Sequence, residues 1–131
     1  MLGGAALALV VLAAACGEDD VNADKGKKDD TKLEDVVKVD GSEADVTVLD
    51  NTFNDENIEV APGTKVVWTN DGRQNHDIVP VDDSVKFGVE PGEFEPETVY
   101  EYVFDKPGTY RYYCSLHGTE DAGMIGAVVV K

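Results

Sequence analysis

Four side chains in this sequence have the chemistry to hold a soft metal ion, and three of them fall within eleven residues. Cys114, His117 and Met124 lie in the run C-S-L-H-G-T-E-D-A-G-M over 114–124, and His76 lies upstream. The supply is otherwise bare. The chain has two histidines, two cysteines and two methionines, the remaining two being Cys16 and Met1. Two imidazoles and a thiolate around one ion, with a weak axial thioether, make the donor set of electron-transfer copper. The thiolate binds both oxidation states, the imidazoles tolerate both, and the thioether favours Cu(I). Taken singly, each residue has a commoner role: a hydrogen-bonded loop histidine, an inert buried cysteine, a methionine filling the core. Taken together, the only candidates for four ligand roles stand in a suitable order, so one copper ion held by His76, Cys114, His117 and Met124 is expected.

The same inventory weighs the competing functions. A copper-binding protein for homeostasis or delivery is the alternative to a one-electron carrier, but Cu(I) chaperones more often use several methionines or paired cysteines. A multicopper enzyme needs more histidines than the two present. If all four ligands bind, no open position is left for a substrate. The reading is therefore a carrier and not an enzyme.

These ligands need elements to place them. From about Asp45 the sequence alternates apolar and polar residues in short runs. Examples are Val46 and Val48, Ile58 and Val60, and the β-branched and aromatic stretch from Thr64 to Asn70. Tyr100, Tyr102 and Phe104 fall on one face of another run. Tyr110, Tyr112 and Cys114 share a face after the Pro107-Gly108 turn, and Gly126 to Val130 closes the chain. Period-two patterning bounded by turn residues, with no helical periodicity, predicts an all-β sandwich of about 85 to 90 residues. Cys114 then points inward by its parity with Tyr110 and Tyr112. The chain turns so that His117 returns to the same end, and His76 arrives from just beyond the Trp68 strand. Gly118 and Gly123 give the ligand loop its backbone freedom. The segment E-P-G-E-F-E-P-E over 90–97 reads as an acidic loop, since two prolines disfavour a central strand.

The N-terminus is set apart. Leu2 to Ala15 is an apolar run too short to span a bilayer, followed by Cys16 and an acidic triplet. The pattern Leu-Ala-Ala-Ala-Cys resembles a bacterial or archaeal lipoprotein signal. That resemblance implies cleavage before Cys16 and lipidation of its thiol, which places the protein at the extracytoplasmic face of a cell membrane. Residues 1–15 are thus expected to be signal, 16–43 a flexible tether and 44–131 the copper-binding domain. The tether assignment rests on ten acidic and five basic residues and no aromatic between 17 and 43, a composition that cannot bury enough surface to offset chain ordering. The formal net charge of the chain is -16. From Asp45 onward there are seventeen acidic and six basic side chains. That field disfavours nucleic acid and suits a basic redox partner such as a cytochrome or an oxidase domain. A monomer is expected.

Three segments together resemble the plastocyanin-like cupredoxins, a group that includes halocyanin, amicyanin and pseudoazurin. They are I-E-V-A-P-G-T-K-V-V-W-T-N over 58–70, E-T-V-Y-E-Y-V-F-D-K-P-G-T-Y-R-Y-Y-C-S-L-H over 97–117, and G-M-I-G-A-V-V-V over 123–130. The resemblance implies a Greek-key β-sandwich of seven or eight strands with blue copper near one end, and carries the same four ligands over. It also implies that Asp77, where the family usually has Asn, ties its side chain to Ser115 while its backbone amide bonds the cysteine sulfur. Tyr113, just before the ligand cysteine, stands where an outward tyrosine can form an electron exit. One departure from the family is the six residues between His117 and Met124, a long ligand loop for this group.

Overall fold

A computed structural model describes residues 32–131. The signal-type run, Cys16 and most of the expected tether lie outside the described residues. Nine strands follow in order: β1 Val36–Lys38, β2 Glu43–Val48, β3 Phe53–Asn54, β4 Asn57–Val60, β5 Thr64–Asn70, β6 Val79–Pro80, β7 Val99–Phe104, β8 Gly108–Gly118 and β9 Gly123–Val130. They form two sheets, one ordered β1-β4-β9-β8-β6 and the other β3-β2-β5-β7. The described residues contain no α-helix; a 3-10 turn at Pro91–Glu93 opens the acidic loop.

The period-two pattern becomes the two faces of each strand. In β7, Tyr100 and Tyr102 are half-buried and Phe104 is buried, whereas Val99, Glu101 and Val103 face out. In β8, Tyr112 and Cys114 are buried and Tyr110 is partly so. β5 lies between β2 and β7 and is buried at Val66, Val67 and Trp68 in succession. Trp68 is the centre of the core: its ring is 5.6 Å from that of Tyr112 and 5.5 Å from that of Tyr100, and Phe87 and Phe104 close around it. Each large side chain so buried contributes roughly 1.5–3 kcal/mol, which makes this cluster the rigid base beneath the ligands.

The strand count exceeds the seven or eight expected because β3 and β6 have only two residues each and β1 falls inside the segment assigned to the tether. All three residues of β1 are exposed, so no apolar alternation marks it. It is held instead by parallel pairing with β4 and by Asn57, whose Nδ2 donates to the Glu34 carbonyl at 2.8 Å. The compact unit that carries these strands runs from Leu33 to Lys131.

Candidate metal centre

The site grows out of an irregularity in the β8–β9 ladder. Tyr113 pairs with Ile125 and the next paired positions are Gly118 and Gly123, so β8 spends five residues where β9 spends two. The three extra residues release Cys114 to His117 from the ladder and let both ligands face one end of the sandwich. Gly118 and Gly123 then close a tight hairpin, with the Thr119 N–H donating to the Ala122 carbonyl at 2.8 Å. A Cβ on Gly118 would meet the Met124 nitrogen at 2.6 Å, and Gly123 has φ +89°; both positions need glycine. The long loop is thus taken up as a projecting hairpin. Met124, fully buried, begins the return strand next to the histidine end of β8.

His76 comes from the opposite sheet, beyond the end of β5. Its N–H donates to the Phe94 carbonyl at 3.2 Å, and Ile78 and Val89 exchange backbone bonds of 3.0 and 3.1 Å just after it. The preceding turn is fixed by Asn70, which is fully buried and donates to the carbonyls of Gln74 and Phe94, both at 3.0 Å. It is fixed also by Asp50, whose Oδ1 accepts the Arg73 N–H at 2.6 Å. The acidic loop therefore has a packing role: Phe94 is its buried plug, and its carbonyl orients the first histidine.

The ligand atoms converge. Cys114 Sγ lies 3.6 Å from His76 Nδ1 and 3.6 Å from His117 Nδ1, and one donor atom from each of the three residues lies within 4.8 Å of the others. His76 and Cys114 are buried; His117 is half-buried and borders exposed Leu116. Bonds of about 2.0 Å to nitrogen and 2.3 Å to sulfur at 120° separate the two donors by about 3.7 Å, so the observed spacing fits one first-row metal ion between them. Each histidine presents Nδ1 to that point. The outer Nε2 of His117 meets Gln74 Oε1 at 2.6 Å. The Nε2 of His76 is buried with no hydrogen-bond partner, and the Asp50 carboxylate is 3.9 Å away.

The electrostatics follow from the burial. Loss of water pushes the Cys114 thiol up, against the backbone N–H groups of Asp77 and Leu116, which pull it down. Burial, and then the neighbouring His117, hold His76 below the ordinary histidine range. Asp77, also buried, accepts the Ser115 N–H on Oδ1 at 2.7 Å and the Ser115 hydroxyl on Oδ2 at 2.5 Å. This tie clamps the strand beyond the cysteine to the strand beyond the first histidine. Tyr113 is half-buried between Val79 on β6 and Ile125 on β9.

Four residues around the site were not legible in the sequence: Asp50, Asn70, Gln74 and Phe94. Only Asn70 carried a hint, as an amide ending a strand whose other residues, Lys65 apart, are apolar or β-branched.

Comparison with known proteins agrees with this geometry. A family model described as copper binding proteins, plastocyanin/azurin family, matches residues 43–131. Plastocyanin of Cucumis sativus is 32% identical over 88 residues, covering 60% of this chain and 87% of the relative. Among solved structures, a purple cupredoxin from Nitrosopumilus maritimus superposes with a TM-score of 0.57 at 28% identity, covering 67% of this chain and 99% of that one. A mutant fern plastocyanin gives 0.56 at 25% identity, covering 67% and 100%.

Proposed function

The chain belongs to the plastocyanin/azurin family of copper-binding proteins, and from that premise we propose that it carries single electrons between redox proteins while tethered to the outer face of a membrane. A type 1 copper ion would be held by His76, Cys114 and His117, whose donor atoms converge, with Met124 as the axial fourth ligand that membership of the family implies. It supplies the Cu(I)/Cu(II) couple; the residues supply its surroundings. His76 and Cys114 are fixed from inside the core, Met124 lies buried at the start of the return strand, and Asp77 with Ser115 locks the two ligand-bearing ends together. His117 is the ligand nearest solvent, so it is the side by which an electron enters or leaves; Tyr113 offers a second exit on the flank. Four protein ligands would leave the copper no open position for a substrate, which supports a carrier and not an enzyme.

The observation that carries this reading is the thiolate equidistant from two imidazole Nδ1 atoms, 3.6 Å from each. Adding Cu(II) to the purified protein should produce an intense visible band from thiolate-to-copper charge transfer. Cys114→Ser should abolish it, since a hydroxyl is a hard, poor replacement. A Ser variant that stays intensely coloured would refute the assignment. The membrane part of the proposal is supported by the lipoprotein-like leader before Cys16. Two acyl chains give the stable attachment that one does not. Mass spectrometry of the mature N-terminus decides it, an unmodified Cys16 or an intact leader excluding the anchor. The acidic field makes a basic partner, a cytochrome or an oxidase domain, the natural donor or acceptor.

A further inference from the structure

The second copper histidine has a built-in partner on its outward side. His117 Nε2 and Gln74 Oε1 are 2.6 Å apart. Gln74 sits where it does for reasons independent of His117. Its carbonyl accepts from the fully buried Asn70 amide at 3.0 Å, and its neighbour Arg73 is fastened through the backbone to Asp50 at 2.6 Å. Gly72 completes the fit, since a Cβ there would lie 2.4 Å from Asp50 Oδ1. The turn 71–75 is thus a strap, fixed at its two ends to β5 and to the turn after β2, that holds one amide oxygen over the edge of the imidazole.

We propose that Gln74 is a positioning residue for the copper centre, accepting a hydrogen bond from His117 Nε2 and taking the place of water there; this rests on the copper reading above. The chemistry fixes the direction of the bond. A neutral imidazole that ligates through Nδ1 carries its proton on Nε2, and an amide oxygen only accepts. The bond orients the ring with Nδ1 toward Cys114 Sγ and makes the imidazole a better donor, the role outer partners of metal-bound histidines commonly serve. A better donor favours Cu(II) over Cu(I). It also leaves the least buried ligand held from both sides, by metal on one nitrogen and by the strap on the other.

The test uses the full copper-loaded protein with Gln74→Ala, Gln74→Glu and, as a charge control, Arg73→Gln, which changes net charge by the same amount as Gln74→Glu without replacing the acceptor. In the diamagnetic Cu(I) form, proton NMR reads exchange of the His117 Nε2–H with water. Exchange should be slower in the native protein than in Gln74→Ala by about three- to tenfold, the factor an ordinary net hydrogen bond supplies. Gln74→Glu should keep the slow exchange and lower the reduction potential by more than Arg73→Gln does. Equal exchange in native protein and Gln74→Ala, or a Gln74→Glu potential no lower than that of Arg73→Gln, would overturn the proposal. Absence of the thiolate-to-copper band in the native protein would instead overturn the copper reading, and this inference with it.

Discussion

Asp77 is the residue at which stability and redox chemistry should come apart. Its buried carboxylate takes two hydrogen bonds from Ser115, of 2.7 and 2.5 Å, and both are charge-assisted. Asp77→Ala removes both acceptors and leaves the Ser115 N–H without its partner in a part-buried position. At about 1.5–3 kcal/mol for a bond to a charged group, discounted because water can reach the Ser115 hydroxyl, the loss is about 2–4 kcal/mol. For a domain of this size that lowers Tm by roughly 10–25 °C. Asp77→Asn should cost at most about 1 kcal/mol, because the amide oxygen still accepts the N–H and the amide nitrogen can donate to the hydroxyl. Urea denaturation of the copper-free protein measures each variant, and a cycle with Ser115→Ala isolates the pair. The same Asp77→Asn protein, copper-loaded, should show a higher reduction potential, because a negative charge beside the site favours Cu(II). An Asp77→Ala loss below about 0.5 kcal/mol, or full additivity with Ser115→Ala, would refute the clamp.

The remaining expectations are briefer. Met124→Gln should lower the reduction potential while the visible band persists with altered intensity, because an amide oxygen is harder than a thioether; redox titration in one buffer checks it, and an unchanged potential and spectrum would leave Met124 as core packing. In the copper-free protein, burial holds His76 below its ordinary pKa of 6.5, so the unfolded chain takes up the proton first as pH falls. The stability His76 contributes is then complete above about 6.5 and declines below it. Chemical denaturation across pH 5–8 should show that slope and His76→Leu should flatten it. Association with a basic partner should slow as salt rises, since screening shortens the acidic field to about 10 Å near 0.1 M; stopped-flow rates flat in salt would assign the charge to solubility alone.

What the sequence made legible followed from period-two patterning and from scarcity. Tyr110, Tyr112 and Cys114 announced an inward face because strand side chains alternate, and the structure buries Tyr112 and Cys114 with Tyr110 partly so. The ligand candidates stood out because the chain has almost no others. β1 stayed hidden because all its side chains are exposed and its pairing is backbone to backbone, which composition does not record. Asp50 and Gln74 were illegible for a different reason. They reach the site across 26 and 43 residues of chain, from His76 and His117 respectively, and an exposed Asp or Gln in a turn looks the same whether or not it faces a ligand. The length of the ligand loop was legible but its shape was not: the pairing of Gly118 with Gly123 closes it as a hairpin ahead of Met124.

The arrangement also explains why the ligands are divided between rigid and accessible positions. A buried imidazole nitrogen without a hydrogen-bond partner costs stability, about 1–3 kcal/mol for an unsatisfied buried polar group. The fold tolerates this because the Trp68, Tyr112, Phe87 and Phe104 cluster lies beneath the site and resists collapse into it. The same stiffness holds His76 Nδ1 and Cys114 Sγ 3.6 Å apart, the spacing two ligands of one ion require. A centre whose ligands are already in place has little rearrangement to make when an electron is added or removed. Electron exchange still needs one ligand near the surface, and a surface ligand is the one most free to move. His117, half-buried beside exposed Leu116, meets that requirement, and the strap carrying Gln74 supplies from outside the restraint that the core supplies to the other ligands from within.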